Sequence, residues 1–458
     1  MLKNNSLRFF ILYGLLLTWL VLVILAAFTL NGILAWSAGL LYIAYDSFIQ
    51  CLVVTISSHS LKNNPAAQNS GYDRLTLPTM SAVVPARNEK SVLDKCLNAL
   101  FSQTQAPDEI IIVDDGSTDG TLHWLKEHFQ LKFIGNHSVS KIQPNLKVIQ
   151  KEHSGKADSL NQGWRLAKSE VIVTIDADTI LEPNAIKEMS HAFAQNPNLS
   201  AAGGIIIPRC AGSRTAELFQ FYQTFEYIRS FLERFAWMSF KTLVLVSGAF
   251  SAFRRDVLQR LGGFNKESSV EDYELIYRYY RDCHQNGIIP NVQVIARAHA
   301  LTDAPSNLEK FLLQRSRWFA GFLDTLFRNK DMVFNPLYGR FGRIMLPLKL
   351  IDTLRPIYGL LALVILIFYL IIGFRPYIAV LYVLIVKLLF DLILHCYAFI
   401  LYHRWQRDRI TPKLWAHSII AILTEPFAFQ ILRHLAAVFG VFAYLHGKIS
   451  WAHQRQTA

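Results

Sequence analysis

The feature that most constrains this chain is where its apolar residues lie: in long runs at both ends and in short pieces through the middle. Residues 9–30 carry no charged side chain. A helix crossing a hydrocarbon core of about 30 Å needs about 20 such residues, so this run can span. It exceeds the roughly 7–15-residue apolar core of a signal peptide, and no small-x-small cleavage motif closes it. A second run, 33–56, follows Asn31-Gly32. Near the other end, 357–374 and 378–401 read as a hairpin of spans around Arg375-Pro376. Residues 414–445 are apolar but broken at Glu425-Pro426, giving one kinked span or two short re-entrant segments. The C-terminal region, 357–447, therefore holds two to four segments before a tail at 448–458. Residues 331–356 mix aromatic, basic and apolar side chains and suit a helix lying along the membrane surface; the closing helix of a soluble domain is the alternative.

Composition matters here through its sign. The net charge of +12 would suit nucleic acid, but no basic stripe is interleaved with exposed aromatics and no such motif is present, which argues against that partner. In a membrane chain Lys and Arg gather on cytoplasmic loops. Two N-terminal spans return the chain to its starting side, and Lys3 and Arg8 assign that side to the cytoplasm. Residues 403–409 make a further basic loop of the same kind. The expectation is an integral protein of the cell or inner membrane with its middle portion cytoplasmic. Cys51, Cys96, Cys210, Cys283 and Cys396 are odd in number, scattered and free of any CxxC pair. They form neither a disulfide framework nor a zinc site, in keeping with a reducing compartment.

Residues 57–79 are rich in Ser, Asn, Pro and Gly and read as a linker after the two spans of 1–56. From 80 to 330, short β-branched runs at 81–85, 109–114, 147–151 and 171–176 alternate with helical patterns. That alternation predicts an α/β domain with a mostly parallel sheet flanked by helices. Acids end two of these strands, and ligands of such sheets bind beyond the strand C-termini.

Asp176 and Asp178 close the strand at 171–176, and alternation along a strand points both side chains the same way. Paired hard oxygens suit Mg²⁺ or Mn²⁺, with phosphate and water completing the shell; alone, such a pair is more often a polar turn. Asp114-Asp115-Gly116-Ser117 ends the earlier strand, where a turn with an Asp119 or Thr118 cap is the plain alternative. Pro85, Arg87 and Glu89 sit where another strand gives way to a helix whose N-terminus could help to hold phosphate. Lys156 follows Gly155 at a helix start and can approach a diphosphate, or be a solvated surface lysine. Glu271-Asp272 opens a helix, where acids are stabilised by the dipole whatever else they do. Gln314, Arg317 and Trp318 share one helical face that could offer donors and an aromatic platform to a sugar, or rest at a membrane surface.

Taken in order, the PARNE segment, the DDGS turn, Gly155-Lys156-Ala157, Asp176-Ala177-Asp178, Ser247-Gly248-Ala249, Glu271-Asp272 and the QRSRW segment resemble the family 2 glycosyltransferases. The likeness runs from 80 to 327 and is greatest to the membrane-integrated group of cellulose, chitin, hyaluronan and poly-N-acetylglucosamine synthases. It implies a GT-A fold between transmembrane segments and inverting transfer from a nucleotide sugar, in that group a UDP-sugar such as UDP-N-acetylglucosamine. By position, Asp114, Asp115 and Lys156 would hold the nucleotide, with Pro85, Arg87 and Glu89 beside it. Asp176 and Asp178 would hold the sugar diphosphate and its metal, and Asp272 would be the general base. Glu271, Gln314, Arg317 and Trp318 would bind the diphosphate and the terminal acceptor sugar. The sequence departs from the family at Val270, where threonine is common, at Glu274, where aspartate is frequent, and at Asp303, where many relatives have Glu.

Lys387, Asp391 and His395 recur every four residues on one face of an apolar segment. With Glu425 and Arg433 they could line a polymer path through the membrane, or form an intrahelical ion pair that steadies the bundle. The leading expectation is polysaccharide synthesis coupled to export. The alternatives are transfer of one sugar to a membrane lipid, since ceramide glucosyltransferases carry a similar QRSRW signature, and a channel or transporter with a nucleotide-binding domain. Accessory subunits are not legible in the sequence.

Overall fold

The computed structural model describes residues 2–30, 32–63, 76–373 and 377–447. The Lys3 and Arg8 side chains, residues 64–75 of the linker, the Arg375-Pro376 turn and the tail at 448–458 lie outside the described residues. The chain divides into two compact units. One comprises Met1–Asn63, Phe221–Thr242 and Pro305–Ala458, and the other Asn64–Gln220 and Leu243–Ala304.

Helices α1 (Leu2–Thr29) and α2 (Ser37–Asn63) open the first unit. The second helix runs through the first seven residues of the segment read as a linker. The second unit is built on ten strands: β1 (Met80–Ala86), β2 (Glu109–Asp115), β3 (Leu131–Ile134), β4 (His137–Ser140), β5 (Leu146–Lys151), β6 (Val171–Ile175), β7 (Thr179–Leu181), β8 (Ala201–Arg209), β9 (Phe250–Arg254) and β10 (Val292–Asp303). They form one sheet in the order β3-β4-β5-β2-β1-β6-β9-β8-β10-β7. Its centre, β5-β2-β1-β6, is parallel, whereas β9 and the outer strands β4 and β7 pair antiparallel with their neighbours. The sheet is therefore mixed, with the expected parallel part at its heart.

The central strands follow from their composition. Ile110-Ile111-Ile112-Val113 is buried on both faces, and a continuous β-branched run suits a strand covered on each side. Helices α3 (Leu93–Phe101), α4 (Thr121–His128), α5 (Lys156–Leu166) and α6 (Ala185–Gln195) connect the strands. Contact between α5 and the sheet is close at Gly163, where a Cβ would lie 2.2 Å from Val83 Cγ1. Because β1, β2 and β5 are parallel and in register, Ala86 lies beside Asp114 and Asp115 beside Lys151. Three loops thus leave the same edge of the sheet together.

Helix α7 (Arg214–Ser239) belongs to the first unit from Phe221 onward. Helices α8 (Arg255–Leu261) and α9 (Glu271–Gln285) complete the sheet unit. The chain then continues through α10 (Leu308–Arg328), α11 (Leu346–Ile371), α12 (Tyr377–Gln406), α13 (Pro412–Thr424) and α14 (Phe429–Leu445). Among the described residues, Phe9–Thr29, Gly32–Lys62, Phe341–Ile371 and Tyr377–Gln406 are long and apolar enough to cross a membrane. The last two helices form a pair bent by 49° at Glu425–Phe427, the break seen in the sequence.

Residues 331–356 are not one surface helix. They form short turns at Pro336–Tyr338 and Phe341–Met345, and then the first turns of α11, so the third candidate span begins before residue 357. Pro347 stands at the helix start, where its missing N–H costs nothing. Three of the charged residues that suggested an interface are partnered within the unit: Lys349 with Asp352 at 3.0 Å, and Arg355 with Asp46 of α2. Asp46 also accepts from Lys387 at 2.8 Å, and Lys387 reaches Asp391 on its own helix. Glu425 pairs with Arg229 at 3.1 Å and with Arg433. The intrahelical Lys387–Asp391 pair thus exists, inside a wider ionic network.

Candidate active site

The three loops at the edge of the parallel strands are tied to one another by short polar side chains. Asn88 is left-handed, with φ +57°. Its Oδ1 accepts from the Thr118 N–H at 2.8 Å, and its own N–H donates to Ser117 Oγ at 3.0 Å. Asp119 accepts from the Thr121 N–H at 2.9 Å, and Thr121 Oγ1 accepts from the Glu89 N–H at 3.1 Å. The turn forms at Gly116–Gly120, but the cap position of α4 falls on Gly120, which has no side chain to cap with, so the expected Asp119 or Thr118 cap is not made and Asp119 instead closes a turn onto Thr121. Gly116 takes φ +69°, and a Cβ there would lie 2.9 Å from the His153 backbone nitrogen, so only glycine fits. Helix α3 begins at Leu93, beyond Glu89, which is itself buried.

The two adjacent acids have different surroundings. Asp115 is saturated: Oδ1 takes Lys151 Nζ and the Ser154 N–H (2.9 Å), and Oδ2 takes His153 Nδ1 (2.8 Å) and the Gly155 N–H (3.0 Å). Burial opposes its charge, but these donors outweigh burial and hold its carboxyl below the usual range. Asp114 is equally buried, yet among the described residues its Oδ1 has no hydrogen-bond partner, and burial pushes its pKa up. An orphaned acceptor beside this turn is available to a donor from a ligand. Arg87 Nη1 lies 2.9 Å from His153 Nε2, which joins the PARNE loop to the loop before α5. Pro85 is buried in β1 opposite Val113.

Lys156 is the first residue of α5, after Gly155 at φ +99°. Its Nζ lies 2.6 Å from Asp176 Oδ1 and 3.1 Å from Glu271 Oε1. Burial works against its charge, but those two carboxylates prevail and raise its pKa above the ordinary value. Asp178 accepts from Thr302 Oγ1 at 3.3 Å, across the β7–β10 pair that sets Thr302 against Thr179. Asp272 Oδ2 accepts from the Gly248 N–H at 2.7 Å and Oδ1 from the Tyr273 N–H at 2.9 Å. Burial first, then the charge of Glu271, push Asp272 up to about 6, with Lys156 pulling the other way. A carboxyl so tuned can accept a proton near neutral pH. Glu271 is buried and turned onto Lys156.

Asp114, Asp115, Lys156, Asp176, Asp178, Glu271 and Asp272 therefore all belong to the sheet unit, and Lys156 links the acids of β6 to those of α9. Gln314, Arg317 and Trp318 lie on α10 of the helical unit. Among the described residues Gln314 Oε1 is buried without a hydrogen-bond partner. Arg315, inside the QRSRW segment but not among the expected site residues, stacks 4.2 Å from the Trp318 ring and pairs with Glu226 at 2.9 Å. Lys151, His153, Gly248 and Thr302 were not singled out as site residues either. Only Lys151 left a usable signal, at the end of a strand whose neighbour ends in Asp115.

Among the described residues no three His, Cys, Asp or Glu side chains converge as a metal site. Asp176 and Asp178 supply two hard oxygen donors, which fit a Mg²⁺ or Mn²⁺ that takes its other ligands from a substrate's phosphates and from water.

Residues 81–262 match the model of Glycosyl transferase family 2. The chain is 26% identical over 252 residues to a poly-beta-1,6-N-acetyl-D-glucosamine synthase of Staphylococcus epidermidis, covering 55% of this chain and 56% of that one. It is 23% identical over 296 residues to the enzyme of the same name from Staphylococcus aureus (strain COL), covering 64% and 63%. The chain thus spans somewhat over half the length of these relatives. A mannosyltransferase from Pyrobaculum calidifontis, solved with GDP-Man and Mn²⁺, shares the fold with a TM-score of 0.50 at 17% identity, over 85% of this chain and 99% of that one. Residues 81–262 thus carry the match to Glycosyl transferase family 2, on a sheet domain of GT-A fold.

Proposed function

We propose that the protein is a membrane-embedded, inverting glycosyltransferase that extends a polysaccharide from a nucleotide sugar, with UDP-N-acetylglucosamine the first donor to test. The observation that carries this reading is the single cluster in which Lys156 joins Asp176, at the end of β6, to Glu271 and its neighbour Asp272, at the start of α9. A nucleotide-binding module of a channel needs no carboxyl tuned to accept a proton, so the cluster favours an enzyme. The names of the staphylococcal relatives favour a polymer of N-acetylglucosamine.

In this reading Asp114 Oδ1 receives an N–H of the nucleobase, while Asp115 holds the loop before α5 in shape. Asp176 and Asp178 would hold a Mg²⁺ or Mn²⁺, which when bound would offset charge on the leaving diphosphate. Lys156 adds a fixed positive charge beside them. Asp272 takes the proton of an acceptor hydroxyl as that oxygen bonds to the anomeric carbon, and the bond from that carbon to the diphosphate breaks on the opposite face. Gln314, Arg317 and Trp318 would serve the diphosphate and the acceptor sugar. The apolar helices and the basic N-terminus support a cytoplasmic catalytic domain, with the product leaving through the helical unit.

The test is a donor screen with purified protein in lipid nanodiscs. UDP-N-acetylglucosamine is expected to give sugar transfer that EDTA stops and Mn²⁺ or Mg²⁺ restores. Transfer that is indifferent to EDTA would remove the metal from the account, and the absence of transfer from every nucleotide sugar would remove the enzyme.

A further inference from the structure

Lys156 occupies the position of a cation among acids. Its side chain is only 12% exposed, and its Nζ touches Asp176 Oδ1 and Glu271 Oε1. The corner is tight: a Cβ on Gly248 would fall 3.3 Å from that nitrogen and 3.0 Å from Asp272 Oδ2. The lysine leaves the first residue of a helix whose preceding glycine has φ +99°, so its root is fixed. The ammonium therefore neutralises one of the two aspartates that follow β6, and among the described residues no three His, Cys, Asp or Glu side chains converge as a metal site.

We propose that Lys156 is a resident counter-cation that makes metal capture at Asp176 and Asp178 conditional on a nucleotide diphosphate. A free divalent ion meets one carboxylate already paired and a like charge beside it. A diphosphate changes both conditions, because its oxygens supply the missing metal ligands and give the ammonium a second anionic partner. The metal and the nucleotide then enter as a unit. The lysine thus opposes one ligand and assists the other, which a purely structural ion pair would not do. The inference rests on reading Asp176 and Asp178 as the metal site.

The experiment is Mn²⁺ binding to the full chain in detergent, followed by the paramagnetic resonance of free Mn²⁺, with and without UDP. The native protein should bind Mn²⁺ weakly alone and more tightly with UDP. Lys156→Met should bind Mn²⁺ alone about tenfold more tightly, through loss of the opposing charge, and Mn²⁺ with UDP less tightly. Lys156→Arg should behave as the native chain. If Lys156→Met does not fold, Lys156→Met with Glu271→Gln removes the pair together and should show the same inversion. Unchanged binding of Mn²⁺ alone in the folded variant overturns the proposal. Asp178→Asn separates the two readings: if it leaves Mn²⁺ binding with UDP intact, the metal site itself is wrong, and the role of Lys156 falls with it.

Discussion

At the scale of single residues, carboxylates of one chemical type are held in different states. Asp272 is pushed up to about 6, first by burial and then by the Glu271 charge. A base works only when deprotonated, so kcat/KM for the acceptor should fall as pH drops through about 6. An unperturbed Asp would lose activity only near about pH 4. A pH–rate profile checks this, and Asp272→Asn should cost roughly 100- to 10,000-fold in rate at saturating donor. Thr302 is a quieter part of the same site, since its hydroxyl reaches Asp178 Oδ1 at 3.3 Å. Thr302→Val should raise the metal concentration for half-maximal activity roughly tenfold, as losing a ligand's hydrogen-bond partner does, while Thr302→Ser should not. The acids were legible because strand ends and a two-residue spacing mark them. Thr302 was not, because its partner lies 124 residues away and only the β7–β10 pairing brings them together. Nor could sequence say that Asp115 is saturated and Asp114 is not.

At the scale of elements, the strands that were legible are the buried ones. Strands β1, β2, β5 and β6 are short β-branched runs, and they form the parallel centre. The others lacked that signal for particular reasons. Strand β7 has only three residues, and β10 carries Arg297 and His299 where its pairing with β8 shifts register. The start of α11 was hidden because Lys349, Asp352 and Arg355 look like headgroup-facing charges, although they pair inside the unit. Packing between α5 and β1 gives a sharp test. Gly163→Ala forces a Cβ to 2.2 Å from Val83 Cγ1, and overpacking of this kind costs about 1–3 kcal/mol. A lower unfolding temperature is expected, together with reduced transfer, since the same helix begins with Lys156.

At the scale of the whole molecule, the helical unit is more than a row of apolar spans. Asp46 joins α2 to Arg355 of α11 and Lys387 of α12. The four-residue spacing of Lys387 and Asp391 is visible in the sequence, whereas Asp46 lies 341 residues from Lys387 and gave no sign. Asp46→Asn takes a buried carboxylate from two half-buried cations and should lower the unfolding temperature. Replacing Lys387 and Asp391 together by leucine should cost less, because Asp46 then keeps Arg355 as its partner. If that double variant folds and still exports polymer at the native rate, this face plays no part in product passage.

The cluster around Lys156 and Asp272 is proposed to build a polymer from a nucleotide sugar. The most direct measurement is the product of purified protein given labelled UDP-N-acetylglucosamine, resolved by size and by anomeric configuration. The native chain should give a ladder or high polymer of inverted configuration, and Asp272→Asn none. A single glycolipid, retained configuration, or full polymer from Asp272→Asn would contradict it.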